Sequence, residues 1–239
     1  KFLSDYSRGR RWNTTEKEPN FFKENIRTYE KKESVEHYEK LKIKDVEKIV
    51  IGKYFHGKVL DLGCGVGRTT KYIHGLGLDV VGVDIVGSMI KRAKKIYPEI
   101  KFEQGDARIL NYKDKEFDIV FFSFNGLDYI HPEKERIRAL KEIDRVLKPN
   151  GYFIYSSHNP LALFFKFRPK FLFRCIKTGR LFSKYKPEQD KRIGLLHTYF
   201  ASPKSQIKQV ETNTNLRFTE QVPNSFTESQ PHYVFMKRL

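Results

Sequence analysis

The residues best suited to chemistry are three glycines and a set of acids and amides that follow strand-like runs. Gly63, Gly65 and Gly67 stand in a Gly-x-Gly-x-Gly spacing directly after the apolar run Val59 to Leu62, and a helix-forming segment follows at once. Glycines at those points permit a tight turn out of a strand and let a ligand lie against bare backbone beside a helix N-terminus. Asp84 ends a second apolar run, Asp79 to Val83, roughly twenty residues beyond the first glycine, where a nucleoside-binding fold places an acid to accept hydrogen bonds from ribose hydroxyls. A third run, Ile100 to Gln104, leads into Gly105-Asp106-Ala107, and a fourth, Phe117 to Phe122, into Ser123-Phe124-Asn125-Gly126. Polar groups thus gather at strand ends on one edge.

The elements that must hold these residues alternate. Each run is followed by helix signals, which gives a βαβ succession and hence a parallel sheet with helices on both faces. Gly75 and Gly77 close the first helix, Ser88 is expected to N-cap the second before Pro98 stops it, and His131-Pro132 opens a third. On that third helix Ile137, Leu140, Ile143 and Val146 are expected to form the buried face. Lys148-Pro149-Asn150-Gly151 then breaks it into a fifth strand, Tyr152 to Tyr155, and Ser202-Pro203 begins a helix ahead of two last strands, Leu216 to Val222 and Tyr233 to Lys237. Residues 1 to 57 read as an irregular basic arm followed by helical capping segments from about Asn20 to Phe55, and 58 to 239 as the main domain.

Length allows one well-buried α/β domain with an insertion. The formal charge of +17 favours phosphates, nucleic acid or an anionic membrane surface, or reflects lysine-rich solubility. Cys64 and Cys175 make no disulfide framework and no metal-ligand spacing, so a reducing cytoplasm is expected, and no apolar run is long enough to span a bilayer. No leader sequence is visible, and a start at Lys1 leaves room for upstream residues.

The ordered set Val-Leu-Asp-Leu-Gly-Cys-Gly-Val-Gly at 59 to 67, Val-Gly-Val-Asp at 81 to 84, Gly-Asp-Ala at 105 to 107, Phe-Asp-Ile-Val at 117 to 120 and Arg-Val-Leu-Lys-Pro-Asn-Gly-Tyr-Phe at 145 to 153 resembles the class I S-adenosylmethionine-dependent methyltransferases, within their small-molecule, type 11-like group. The resemblance implies a Rossmann-like, seven-stranded, mostly parallel sheet whose last strand is antiparallel, and transfer of a sulfonium methyl group. It implies that Gly63, Cys64, Gly65 and Gly67 pass the methionine and ribose portions of the cofactor, with Asp61 holding the loop and the surroundings of the amino group. Asp84 with Ile85 would take the ribose, Asp106 with Ala107 the adenine edge, and Ser123 and Phe124 the methionine end. In the resembling family the segment before the glycine motif often caps the cofactor, so Tyr29 and Tyr38 are expected to reach sulfonium or substrate. A nicotinamide dehydrogenase shares the glycine and ribose logic, but Arg68 stands where the last glycine of its Gly-x-Gly-x-x-Gly motif belongs.

The insertion from about 160 to 200 is aromatic and basic, with Phe164, Phe167, Phe171 and Phe182 interleaved with Lys166, Arg168, Lys170 and Arg174. It reads as a lid over an acceptor pocket, as a surface lying on anionic lipid, or as a grip on RNA. A hydroxyl acceptor needs its proton removed. His158 follows the fifth strand at the cofactor edge and is the expected base, with Asn125, Asp128 and Tyr129 as further catalytic candidates and His197, near the lid's exit, facing substrate. No cluster suggests a metal. The expected activity is methyl transfer to oxygen of a small-molecule or glycan-like, anionic acceptor. The alternatives are an RNA or lipid-intermediate methyltransferase and a non-catalytic cofactor-binding or regulatory subunit.

Overall fold

The structure is a computed structural model that describes residues 21–160, 185–190, 194–224 and 228–239, with strand 185–190 traced through its backbone. Three helices, α1 (Phe21–Tyr29), α2 (Lys32–Glu39) and α3 (Asp45–Tyr54), lead into β1 (Lys58–Leu62). Then come α4 (Arg68–Gly75), β2 (Asp79–Asp84), α5 (Gly87–Ile96), β3 (Lys101–Gln104) and β4 (Phe117–Phe122). A short 3-10 turn, Gly126–Tyr129, precedes α6 (Glu133–Val146) and β5 (Leu147–Ser156). The chain closes with β6 (Tyr185–Asp190), β7 (Gly194–Tyr199), α7 (Pro203–Asn213), β8 (Leu216–Val222) and β9 (His232–Lys237).

Seven strands form one sheet in the order β3-β2-β1-β4-β5-β9-β8. All run parallel except β9, which is antiparallel to both β5 and β8. This is the Rossmann-like arrangement the resemblance implied. Side chains alternate across each strand, and both faces are apolar because helices cover both. Leu60, Val120, Phe122, Phe153 and Phe235 join the core that includes Leu140 and Ile143 of α6. Their neighbours Val59, Ile119, Phe121, Ile154 and Val234 point the other way, against Val50 and Ile51 of α3 and Ile73 of α4.

Residues 21–54 hold the three helices α1 to α3, with breaks after Tyr29 and at 40–44. Several local expectations are corrected. Val86, not Ser88, is the N-cap of α5, and its N–H is taken by the Asp84 carboxylate at 2.8 Å, so the helix start is fastened from the preceding strand. Leu147 already pairs with Phe117, and β5 carries Lys148 to Gly151 through a register shift, with Asn150 at φ 63°. The buried face of α6 starts with Arg136 rather than Ile137. The described end of the insertion is a β-hairpin, β6 and β7, separate from the main sheet.

Arg136 is fully buried and survives there because each of its three guanidinium nitrogens has a partner. Its guanidinium donates to Gln209 and Gln206 at 2.7 Å each, to the Leu127 carbonyl and to Asp128, and it stacks on the Tyr199 ring at 4.4 Å. It therefore ties α6, the 3-10 turn, β7 and α7 together.

His232 at the start of β9 is the opposite case. Both ring nitrogens are buried without a partner and the ring stacks on Phe121, so burial lowers its pKa to about 4. An unfolded chain binds a proton there below its ordinary value of about 6.5 while the folded one resists until about 4, so stability is lost as pH falls through that window. His232→Phe keeps the stacking and removes this proton linkage. Relative to the parent, the variant is expected to gain on the order of 2 kcal/mol when urea melts at pH 7.5 and pH 5 are compared; an equal gap at both pH values would refute the linkage.

Candidate active site

A cleft opens at the carboxyl ends of β1 to β4, the edge at which open α/β sheets bind their ligands. Its floor is the glycine loop. Gly63 and Cys64 donate their N–H groups to the Val83 carbonyl at 2.7 and 3.1 Å, which pins the loop to β2. Gly63 has φ 68°, and a Cβ there would stand 2.5 Å from the Phe122 ring. Gly65, at φ 57°, would send a Cβ to within 3.7 Å of Met89 and 3.9 Å of Tyr38, filling the space a ligand needs.

Asp84 ends β2 beside this loop. One oxygen accepts the Gly65 N–H and the other the Val86 N–H, both at 2.8 Å. Burial raises its pKa and those backbone donors oppose the rise. The carboxylate is thus fixed in place with lone pairs left for a further partner. Asp106 is gripped by the Arg108 guanidinium, and although burial pushes its pKa up, the arginine and the Arg108 N–H hold it below the usual value. Arg108 also stacks over Phe22 at 4.2 Å and reaches Glu135 at 3.2 Å. Among the described residues the charged side chains on the wall are these two carboxylates, with no cation.

The loop after β4 forms the next wall through Ser123, Phe124 and Gly126. Phe124 and Asn125 both lie in the left-handed region, at φ 56° and 62°, conformations that cost roughly 1–3 kcal/mol each outside glycine. They are held there from outside. Asn125 N–H donates to Ser156 Oγ at 2.8 Å, and Lys44 and Arg68 sit over the Phe124 ring at 4.3 and 5.1 Å.

The roof comes from the N-terminal helices: Phe22, Asn25, Ile26 and Tyr29 of α1 and Tyr38 of α2, joined by Tyr129. Tyr29 meets Tyr38 and Tyr129 edge-on, with centroids 5.7 and 5.5 Å apart, and Tyr38 meets Phe124 at 5.8 Å. Asn25, 2% exposed, fastens this roof. Its side chain accepts the His197 N–H at 2.8 Å and donates to the carbonyls of His197 at 2.9 Å and Tyr129 at 3.2 Å. The hairpin strand β7 therefore acts on the cleft through α1.

One layer behind the wall lies a buried polar relay. Asp128 accepts the backbone N–H of His158 at 2.8 Å, contacts its Nδ1 at 2.9 Å, accepts Ser157 Oγ at 2.9 Å, and pairs with Arg136 at 3.1 Å. The carboxylate contact assigns the proton to Nδ1, leaving Nε2 to accept from the Asn125 amide at 3.3 Å.

Of the residues expected at the site, Gly63, Gly65, Asp84, Ile85, Asp106, Ala107, Ser123, Phe124, Tyr29 and Tyr38 line the cleft together. Asp61 does not: it faces inward from β1, accepting from Thr69 and Thr70 at 2.6 Å each, and burial raises its pKa to about 6. Cys64 packs in the core with Ile90 and Phe102, and Gly67 makes room for the Phe102 ring. Asn125, Asp128 and His158 stand behind the wall, and His197 lies across α1, stacked on Phe21 and 3.2 Å from Glu24. Phe22, Asn25, Ile26 and Met89 were not foreseen. The spacing of Phe22, Ile26 and Tyr29 along one helical face is the signal that could have found the roof. Among the described residues no group of three or more histidines, cysteines or acids could hold a metal, and no helix is long and apolar enough to cross a membrane.

Glycine loop, strand-end acids and sheet order together define a nucleoside-binding α/β domain. Residues 59–151 match the family model described as a methyltransferase domain. A demethylmenaquinone methyltransferase of Paenarthrobacter aurescens is 35% identical over 121 residues, covering 50% of this chain and 46% of the relative. Among solved structures, an S-adenosylmethionine-dependent methyltransferase of Methanosarcina mazei superimposes with a TM-score of 0.67 at 19% identity, over 83% of this chain and 100% of that one. A Burkholderia thailandensis 1,6-didemethyltoxoflavin-N1-methyltransferase, solved with its substrate and S-adenosylhomocysteine, gives 0.54 at 17% identity over 81% and 77%. The chain spans about half the length of the curated relatives it matches. Residues 59–151 thus match a methyltransferase domain, and the chain shares the fold of S-adenosylmethionine-dependent methyltransferases of known structure.

Proposed function

We propose that this chain is a methyltransferase that binds S-adenosylmethionine in the cleft and methylates a small molecule seated beneath the aromatic roof. The observation that carries this reading is the division of one cleft into a glycine-and-carboxylate floor and a tyrosine-rich roof. The residues present fit the cofactor: Gly65 leaves an open cradle, and Asp84 is held in place with accepting capacity to spare for a ribose diol. Asp106 and Ala107 would face the adenine edge, and Ser123 and Phe124 the methionine end. When bound, the cofactor supplies a methyl group already activated on a sulfonium.

The chain's own work is to align an acceptor and exclude water. A hydroxyl acceptor must also lose a proton, and His158 is prepared to hold one at Nε2 while Asp128 keeps the ring oriented. Asn125 covers that nitrogen and must turn aside for the proton to arrive. Oxygen is therefore the favoured atom of attack.

The acceptor is read as a neutral, flat, apolar ring. Two carboxylates and no cation on the described wall do not favour an anion, and the named demethylmenaquinone relative supports a quinone-type compound. The anionic, glycan-like reading, and the second reading in which RNA or an anionic lipid surface is gripped, rest on the basic insertion, whose residues 161–184 lie outside the described ones. A cytoplasmic enzyme fits the absence of any cysteine framework in the sequence.

Calorimetric titration tests the proposal: micromolar binding of S-adenosylmethionine, with none of nicotinamide dinucleotides, is expected. Labelled methyl should then appear in a small-molecule fraction. Label confined to RNA or lipid would support the second reading, and cofactor binding without any product would make the chain a regulatory subunit. His158→Ala is expected to lower turnover at least ~100-fold while cofactor affinity changes little; full activity would remove the base.

A further inference from the structure

We infer that the hydroxyl of Tyr29 reads an oxygen atom of the acceptor, so that the cleft prefers flat rings bearing a hydroxyl or carbonyl over bare hydrocarbon rings of the same shape. This rests on the proposed function, because it takes the space beneath α1 to be the acceptor's.

Tyr29 lies on the cleft wall at the end of α1, and its hydroxyl oxygen is buried without a hydrogen-bond partner. Burial raises its pKa well above the ordinary value, and the nearby phenols of Tyr129 and Tyr38 add to that through charge and weak hydrogen bonding, but with neither are both the distance and the angle of a hydrogen bond met. The group therefore stays protonated and keeps a proton to donate. Its ring cannot swing away to find water, since Tyr38 and Tyr129 abut it at interplanar angles of 74° and 71°. A buried hydroxyl left in that state is costly, and native structures leave few such groups unless something else completes them.

Three other polar side chains on the same wall are engaged within the protein. Asn25 spends its amide on His197 and Tyr129, Asp84 holds Gly65 and Val86, and Asp106 holds Arg108. Around Tyr29 the roof is otherwise apolar, with Phe22, Ile26 and Ile130. A ring placed there finds dispersion contacts on several sides and, at Tyr29, a buried hydroxyl without a partner. A site of this kind discriminates mainly by the penalty it imposes on a guest that cannot complete it.

The test uses 2-naphthol and naphthalene as probes, titrated into the full chain by fluorescence, with and without saturating S-adenosylhomocysteine. The parent protein is expected to bind 2-naphthol about tenfold more tightly than naphthalene. Tyr29→Phe, which keeps the ring, is expected to bring the two within about twofold while leaving naphthalene affinity and S-adenosylhomocysteine affinity unchanged. Equal affinity for both probes in the parent, or a preference that survives Tyr29→Phe, would overturn the assignment. Failure of S-adenosylhomocysteine to bind, with the 2-naphthol preference intact and lost in Tyr29→Phe, would strike the cofactor reading and leave the hydroxyl assignment standing.

Discussion

Arg136→Met is expected to destabilise the protein by about 3–5 kcal/mol, because it strands the fully buried Asp128 carboxylate without its counter-charge. The same replacement frees the side chains of Gln206 and Gln209 from their bonds to the guanidinium and removes the cation from the Tyr199 face. Chemical denaturation measures the loss directly. Adding Asp128→Asn should recover part of it, since a neutral amide leaves no buried charge to neutralise. A single variant as stable as the parent would mean that the Arg136–Asp128 pair contributes nothing to stability, and the role of Asp128 beside His158 would need to be rewritten.

Asp84→Ala is expected to weaken S-adenosylmethionine binding by ~2 kcal/mol or more, a factor of about thirty, because hydrogen bonds from hydroxyls to a carboxylate are charge-assisted. The loss has two sources. Beyond the missing acceptor, the N–H groups of Gly65 and Val86 lose the carboxylate that fixes the loop and the start of α5. Calorimetry with S-adenosylhomocysteine and with adenosine separates them: a ribose contact weakens both ligands alike, whereas a loosened loop weakens the longer one more. Unchanged affinity for both would take Asp84 out of the site.

The cofactor half was legible in the sequence for a physical reason. Parallel strands covered on both faces read as nearly continuous apolar runs, so Val59 to Leu62, Asp79 to Val83 and Phe117 to Phe122 announced themselves despite Asp61, Asp79 and Asp118, and the polar residues after each run had to fall at one edge. What lay hidden depends on distant partners. The residues of β6 and β7 include Lys186, Pro187, Glu188 and Gln189, which carry no strand signal, and the hairpin forms only because its two arms meet. Asn25 gave no hint of its task, since its partner His197 is far along the chain. Arg136 displaced Ile137 from the buried face of α6 because four acceptors and the Tyr199 ring surround it, and no helical periodicity can reveal such a nest. Asp128 and His158 were both marked as candidates, but that they form one unit, set behind the wall, emerged only with the fold.

The clasp made by Asn25 has a consequence for biosynthesis. The glycine loop, its acid and the first four strands make their mutual pairings within residues 58–122. The roof does not. Although α1 is made before the sheet, its anchor on β7 appears only when residues 194–199 leave the ribosome. Contacts this far apart in sequence are paid late and form slowly. A nascent chain thus holds the strands of the floor before the anchor of its roof, and α1 carries the apolar residues Phe21 and Phe22 without its β7 partner in that interval.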